Sequence, residues 1–177
     1  MAKPGAHKGQ RQMRLDTAQC GEESGKECTV GVISDTHGLV RPEALEALLG
    51  SELIIHAGDV GRQEVLEALG RIAPVFAVRG NNDRGKWADK LPITTIVDVG
   101  EVRIGVVHIL RDFGMDPKED NLSGIISGHS HRASVRDKNG ILYLNPGTAG
   151  PRRFGQPATV AKLRVRGKEI SVEQITL

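Results

Sequence analysis

Residues 29–38 read Thr-Val-Gly-Val-Ile-Ser-Asp-Thr-His-Gly, a short apolar run that ends in polar residues. Such a run is typical of a buried strand, here over 29–33. The sequence that follows predicts a helix over 42–49, which Gly50 ends, and a second buried strand over 53–55. The chain therefore begins with the alternation of strand and helix that builds a parallel sheet with helical crossovers.

The second half of the chain has a different pattern. After a second helix over 63–69 and a third strand over 74–78, hairpins become the main signal, including one whose turn is Asn139-Gly140. The remaining predicted elements are hairpins over 93–99 and 102–107, over 133–137 and 141–144, and over 159–166 and 169–177, with a short helix over 116–122 and a strand over 124–126. We predict an α/β fold, a four-layer α/β/β/α sandwich of two mixed sheets flanked by helices.

Composition excludes several classes of protein. The 177 residues carry 24 Lys+Arg and 22 Asp+Glu, a net charge of +2, and only 3 Phe, 1 Trp and 1 Tyr. A near-neutral chain with few stacking side chains is a poor binder of long nucleic acid. Because no run of about 18 apolar residues occurs, a membrane span is not expected.

We predict a flexible N-terminal tail over 1–28 and one domain over 29–177. Residues 1–25 contain no apolar core of a secretory signal. The two cysteines, Cys20 and Cys28, are predicted to form neither a zinc site nor a disulfide framework, and a cytoplasmic location is the expectation.

Polar side chains of the metal-ligand type stand at the ends of the predicted strands. They are Asp35, His37, Asp59, Asn81, His108, His129 and His131. Since the carboxyl ends of parallel strands meet at one edge of a sheet, we expect these side chains to converge. A mixed set of nitrogen and oxygen donors suits Mn, Fe, Ni, Co or Zn, and seven ligands suit two ions with a shared carboxylate.

Five of these signals occur in a recognisable order. The motifs are Asp35-x-His37, Gly58-Asp59, Gly80-Asn81-x-Asp83, a strand-terminal His108 and Gly128-His129-x-His131. Together they resemble the calcineurin-like metallophosphoesterase superfamily. The short chain and the Asn145-Pro146-Gly147 segment resemble its small prokaryotic phosphodiesterase branch, which includes the retromer subunit that keeps the fold as a scaffold.

The resemblance implies a reaction and a role for each ligand. One ion would be held by Asp35, His37, Asp59 and His131, and the other by Asp59, Asn81, His108 and His129. Asp59 would bridge them, and Asp59, Asn81 and His108 would be the catalytic residues. A hydroxide between two divalent ions, with manganese favoured over Ni, Fe, Co or Zn, would attack a phosphodiester in line.

The chain departs from the family pattern at two places. Asn82 stands where many members have a histidine that protonates the leaving group, and an amide cannot be a general acid at neutral pH. Asn82 and Arg84 are expected to contact the substrate. Ile109 and Leu110 follow His108 where relatives often have Gly-His, which leaves the substrate contacts there open.

Other polar residues have competing interpretations. His56 and Asp83 are expected to hold the ligands in place through hydrogen bonds rather than to bind metal. His56 would do so from the core, and Asp83 would orient or cap the loop of Asn81. Asn145 and Thr148 either do the same or simply form a turn. The arginines Arg79, Arg152 and Arg153, in addition to Arg84, either bind phosphate or are solvated.

Three functions compete. The leading hypothesis is a dinuclear metal-dependent phosphodiesterase that acts on a small phosphoester. The alternative is a non-catalytic scaffold that uses the same fold to bind protein partners, although a scaffold has no need to keep seven ligands. A nuclease acting on long polymers is disfavoured by charge and composition, and a homo-oligomer is left open.

Overall fold

The structure is a computed structural model, and it describes residues 26–152 and 155–177. In chain order its elements are β1 (Cys28–Ile33), α1 (Pro42–Leu48), β2 (Leu53–His56), α2 (Gln63–Gly70), β3 (Val75–Ala77), β4 (Thr94–Val99), β5 (Val102–Val107), β6 (Gly124–Ile126), β7 (Ser134–Lys138), β8 (Ile141–Asn145), β9 (Thr159–Arg166) and β10 (Glu169–Thr176). Short 3-10 turns lie at Ala88–Lys90 and Leu110–Asp112.

The strands form two five-stranded mixed sheets, as expected. The first sheet has the order β10-β9-β1-β2-β3, and the second has the order β4-β5-β6-β8-β7. In the first, β1, β2 and β3 are parallel because α1 and α2 return the chain between them, whereas β9 is antiparallel to β1 and β10 is antiparallel to β9. In the second, β5, β6 and β8 are parallel and the edge strands β4 and β7 are antiparallel. The α/β prediction is confirmed.

The alternation of side chains along the strands explains the layers. In β1, Val30 and Val32 are fully buried in the core between the two sheets, and Ile33 is buried in the separate core under the helices. Gly31 faces the helices, where a Cβ would lie only 2.8 Å from a methyl carbon of Leu48. The absence of a side chain at Gly31 therefore lets α1 pack closely on the sheet.

The segment over 116–122 differs from the prediction of a short helix. The helix expected over 116–122 is wrong, because these residues form turns. Leu122 is the only large apolar residue in this segment, so there is no apolar stripe to hold a helix against the sheet. Instead, the Asp116 carboxylate accepts hydrogen bonds from the backbone N–H groups of Lys118 and Glu119, which closes a turn.

Several boundaries differ slightly from expectation. β1 begins one residue early, at the buried Cys28, and Gly70 lies inside α2 rather than after it. Cys28 is disulfide-bonded. The flexible tail predicted for 1–28 falls outside the described residues except for positions 26–28. Among the residues described, none of the helices has the length and apolarity to cross a membrane.

Candidate metal centre

The seven predicted ligands come together at one edge of the sandwich, in a continuous series of close contacts. The distances are 3.3 Å from Asp35 Oδ1 to His131 Nε2, 3.4 Å from His131 Nε2 to His37 Nε2, 3.8 Å from His37 Nε2 to Asp59 Oδ2, 3.4 Å from Asp59 Oδ2 to His108 Nε2, and 3.0 Å from Asn81 Oδ1 to both His108 Nε2 and His129 Nδ1. These residues come from the ends of different strands, between 2 and 96 positions apart in the chain.

The backbone at this edge is held in an uncommon conformation. Five of the seven ligands have positive φ, namely Asp35 (54°), His37 (48°), Asp59 (53°), His129 (68°) and His131 (58°). Each such residue costs about 1–3 kcal/mol, and it persists only where the surrounding structure holds it. At each of these left-handed residues the backbone turns sharply away from the strand before it. Several side chains are thereby directed to one point. Backbone strain of this kind concentrates at functional sites.

Asp35 is fully buried, and its two oxygens have different surroundings. Oδ2 accepts hydrogen bonds from the Ser34 hydroxyl at 2.5 Å and from the His129 N–H at 3.0 Å. Oδ1 has no hydrogen-bond donor among the described residues and faces His131. Burial raises the pKa of Asp35 from 3.8 to about 6, against the opposing effect of the Ser34 bond. A buried carboxylate oxygen without a donor is the arrangement that a bound cation would satisfy.

Asp59 is also buried but has a pKa well below its usual range. Burial alone would raise this pKa. Hydrogen bonds with His108 and with the backbone and side chain of Asn82 lower it by more than burial raises it. The Asn82 N–H donates to Asp59 Oδ1 at 2.8 Å, and the Asn82 amide donates to Oδ2 at 2.6 Å. Asp59 therefore stays ionised at neutral pH and offers a full negative charge to the site.

The position of the His108 ring fixes the tautomer that a metal ligand needs. Its Nδ1 lies 2.8 Å from the Ala57 carbonyl, which can only accept, so Nδ1 carries the proton. In the neutral ring, Nε2 then presents a lone pair toward Asp59 Oδ2 and Asn81 Oδ1. Burial alone would lower the pKa of His108, but the Asp59 carboxylate raises it overall. Either a proton or a metal ion satisfies these converging acceptors, and the donor set fits a transition-metal ion.

The ligand atoms also meet the spacing that an ion requires. Asp35, His37 and His131 each offer one ligand atom, and the three atoms lie within 4.8 Å of one another. The same holds for Asp35, Asp59 and His108. A Cβ on Gly58 would lie 2.7 Å from His108 Nδ1, so only glycine leaves room for that ring.

Comparison with known proteins agrees with this arrangement. The model of the calcineurin-like phosphoesterase superfamily domain matches residues 29–168. The chain belongs to this superfamily. It is 34% identical over 161 residues to a probable metallophosphoesterase of Methanothermobacter thermautotrophicus, a match that covers 82% of this chain and 91% of the relative. The family resemblance expected from the motifs is confirmed.

Solved structures share the fold of this chain. Vacuolar Protein Sorting 29 from Cryptosporidium parvum matches with a TM-score of 0.69 at 22% identity, over 85% of this chain and 98% of the other. A protein described as a novel archaeal phosphodiesterase matches with a TM-score of 0.68 at 20% identity, over 84% of this chain and 99% of the other. At these identities the two structures support the fold alone.

The remaining polar residues surround the ligands in this metallophosphoesterase fold. His56 is fully buried, accepts a hydrogen bond from the Gly58 N–H at Nδ1 and contacts the Thr36 hydroxyl at 2.9 Å through Nε2. Burial lowers the pKa of His56 to about 4, so it is neutral at pH 7. Its position behind the loop of Asp35 and His37 is the one expected of a supporting residue.

Two residues that had open interpretations lie against the ligand loops. Asn145 donates from its amide to the Gly128 carbonyl at 2.7 Å, beside His129. Thr148 is fully buried and donates to the Asp35 carbonyl at 3.0 Å. The Ser34 hydroxyl, which was not among the residues predicted from the sequence, donates a hydrogen bond to the Asp35 carboxylate. A hydroxyl residue next to a candidate ligand is the signal that could have identified it.

The arginines occupy different places. Arg84 is exposed, and its Nη1 donates to the carbonyls of Asn81 and Asp83 at 2.6 and 3.0 Å. Arg79 pairs with Asp89 at 2.9 Å. Arg152 is exposed, and Arg153 lies outside the described residues. Both Arg79 and Arg84 therefore have protein partners, which reduces the guanidinium surface that they offer to phosphate.

Asp83 should matter for stability. It is fully buried and accepts hydrogen bonds from the N–H groups of Gly61 at 2.7 Å and Gly80 at 2.8 Å. We expect Asp83→Ala to lower the free energy of unfolding by about 2–4 kcal/mol, because two backbone donors lose their acceptor. Urea unfolding of the metal-free protein measures this. Asp83→Asn retains one acceptor oxygen and should lose less; equal stability of Asp83→Ala and the wild type would contradict the role.

Proposed function

We propose that this metallophosphoesterase is a dinuclear metal-dependent phosphodiesterase. The observation that supports it best is the position of Asp59 Oδ2, which lies 3.8 Å from His37 Nε2 and 3.4 Å from His108 Nε2. One carboxylate oxygen thus faces histidines from both proposed ligand sets. A shared carboxylate is the feature that distinguishes a pair of ions from a single one.

The proposed ligand sets follow from the contacts. Asp35, His37, Asp59 and His131 would hold one ion, and Asp59, Asn81, His108 and His129 would hold the other. Two divalent ions, with manganese favoured, would supply an activated water and neutralise the charge that develops on the phosphoryl oxygens. The chain's own residues fix the geometry: Ser34 and Asn82 orient the two carboxylates, and the Ala57 carbonyl fixes the His108 tautomer.

Proposed substrate contacts lie at the exposed side of the centre. Asn82 and Arg84 are exposed and near Asn81 in the sequence, which supports them as residues that a bound phosphoester would contact. A fold neighbour is described as an archaeal phosphodiesterase, and we propose a diester rather than a monoester as the substrate here. A cytoplasmic location stays a prediction, and the disulfide at Cys28 is an observation against the reducing setting on which it rested.

A scaffold function is the second candidate. The fold match to Vacuolar Protein Sorting 29 is the observation that favours it. Against it stands the strained backbone at five ligands, since a surface that only binds partners has no need of residues held in this conformation. We therefore prefer the enzyme.

One experiment tests the choice between the two functions. The full chain is loaded with Mn²⁺, its metal content is measured, and hydrolysis of bis(p-nitrophenyl) phosphate is followed. We expect about two ions per chain and turnover that a chelator abolishes and Mn²⁺ restores. Bound metal with no turnover in Mn, Ni, Co, Fe or Zn would favour the scaffold.

The amide at Asn82 should make the rate depend on the leaving group. General acid catalysis is worth about 10²–10⁴-fold, and Asn82 cannot provide it. We expect kcat to fall steeply as the pKa of the leaving alcohol or phenol rises across a series of aryl and alkyl diesters. Asn82→His is the matched variant and should flatten the slope. A rate nearly independent of the leaving-group pKa in the wild type would contradict this prediction.

A further inference from the structure

Two pockets open beside the proposed metal centre, on either side of Ile109. The first, of about 240 Å³, borders the ligands Asn81 and His108, and we call it the Ile93 pocket. The second, of about 350 Å³, borders the ligand His129, and we call it the Arg136 pocket. Ile109 lines both, so its side chain stands between two binding volumes that meet at the metal ligands.

The Ile93 pocket has mainly apolar walls. Ile93, Val107 and Ile109 supply them, and Ile93 is 43% exposed. The Arg79 guanidinium that lines this pocket is paired with Asp89. A pocket of this size and character suits a flat ring, because a ring buries apolar surface without needing many polar partners.

The Arg136 pocket has more polar surface than the Ile93 pocket, and it is built by the pairing of β7 with β8. Their antiparallel register sets Arg136 opposite Tyr143 and Ser134 opposite Asn145, so these four side chains share one face of the sheet. Arg111 joins them from the segment after β5. The residues that line this pocket include two arginines and no carboxylate.

Of these two arginines, one has no ion-pair partner in the described part of the chain and the other has a single long one. Within residues 26–152 and 155–177, Arg136 has no ion pair, and Arg111 has only a 3.6 Å contact with Asp112, which lines the other pocket. Two guanidinium groups at one pocket attract an anion, and the fork of N–H donors matches the oxygens of phosphate.

We propose that the substrate is a phosphodiester with two unlike arms: a ring in the Ile93 pocket, and an arm bearing a further phosphate group in the Arg136 pocket. This inference rests on the proposed function and names its substrate class. A phosphomonoester has no second arm and would leave the Arg136 pocket empty. A diester with two plain aryl arms would bind without using either arginine.

The test compares two substrates that share one reacting bond. Thymidine 5′-(p-nitrophenyl phosphate) and its 3′-phosphorylated analogue both release p-nitrophenol, and they differ only in the added phosphate. For the Mn²⁺-loaded wild type we expect kcat/KM to be about tenfold higher for the 3′-phosphorylated substrate, from two charge-assisted contacts at a partly exposed site. Arg136→Gln should bring the ratio near one, and Arg111→Gln should reduce it. The matched control is Arg166→Gln, an exposed arginine on β9 outside both pockets.

A binding measurement keeps the inference separate from catalysis. By calorimetry, the metal-loaded protein should bind thymidine 3′,5′-bisphosphate about tenfold more tightly than thymidine 5′-monophosphate, and Arg136→Gln should lose this preference. If neither ester is hydrolysed but the preference holds, the proposed function fails and the anion pocket stands. If both esters are hydrolysed equally, or if Arg136→Gln lowers both rates by the same factor, the pocket assignment is overturned and the phosphodiesterase stands.

Discussion

Asp59→Asn is expected to reduce kcat/KM by about 10³-fold or more and to lower the metal content below two ions per chain. Asp59 Oδ2 approaches histidines of both proposed ligand sets, at 3.8 Å from His37 and 3.4 Å from His108. Replacing it by an amide removes a negative charge from both sets together, which weakens several kcal/mol of transition-state charge stabilisation.

The measurement has two readouts, steady-state hydrolysis of bis(p-nitrophenyl) phosphate and metal analysis after gel filtration. Asp98→Asn is the matched control, because it removes the same negative charge at a position away from the proposed metal centre. Asp98 lies in an ion pair with Arg103, with 2.7 Å between Oδ1 and Nε. We expect that control to keep its metal and its rate, since exposed pairs contribute little. Full activity with two bound ions in Asp59→Asn would refute the shared-carboxylate assignment.

Asp35→Asn is expected to make the metal-free protein more stable at pH 8, even though it removes a proposed ligand. Burial raises the pKa of Asp35 in the folded state to about 6, above the ordinary 3.8. Between these two pKa values the folded state binds more protons than the unfolded state, so stability falls as pH rises through this window. Above pH 6 the full cost of the ionised, buried carboxylate is present, about 3 kcal/mol.

Urea unfolding in a chelator at pH 4 and pH 8 measures the effect. The free energy of unfolding of Asp35→Asn should exceed that of the wild type by up to about 3 kcal/mol at pH 8, and the difference should nearly vanish at pH 4. Added Mn²⁺ should raise the melting temperature of the wild type much more than that of the variant. A variant less stable than the wild type at pH 8 would show that the Asp35 charge is satisfied without metal.

The stability gained at Asp35→Asn and the activity lost at Asp59→Asn have one explanation. A site built from converging carboxylates and imidazoles is unfavourable until a cation neutralises it, so the fold carries this cost for the sake of binding. The positive φ of five proposed ligands is a second energetic cost of the same kind, carried by the backbone.

Much of this could be predicted from the sequence because it depends on local pattern. The apolar run before Asp35, the helix ended by Gly50 and the Asn139-Gly140 turn each depend on residues a few positions apart. The turn illustrates this: Asn139 and Gly140 have φ of 58° and 78°, as a two-residue hairpin loop requires. The helix expected over 116–122 failed because a helix needs tertiary packing of an apolar stripe, which that segment lacks.

From the sequence alone it was possible to predict the candidate ligands and their order, which follows the family motifs at the strand ends. The packing of the two sheets was needed to show that Asp59 faces both His37 and His108 and that Ile109 lines two pockets. It was also needed to show that Asp35 Oδ1 is buried without a donor from the described residues. The two kinds of feature differ because they depend on residues at different separations along the chain. Strands and turns follow from neighbouring residues, whereas these contacts join residues up to 96 positions apart through strand register and the packing of two sheets.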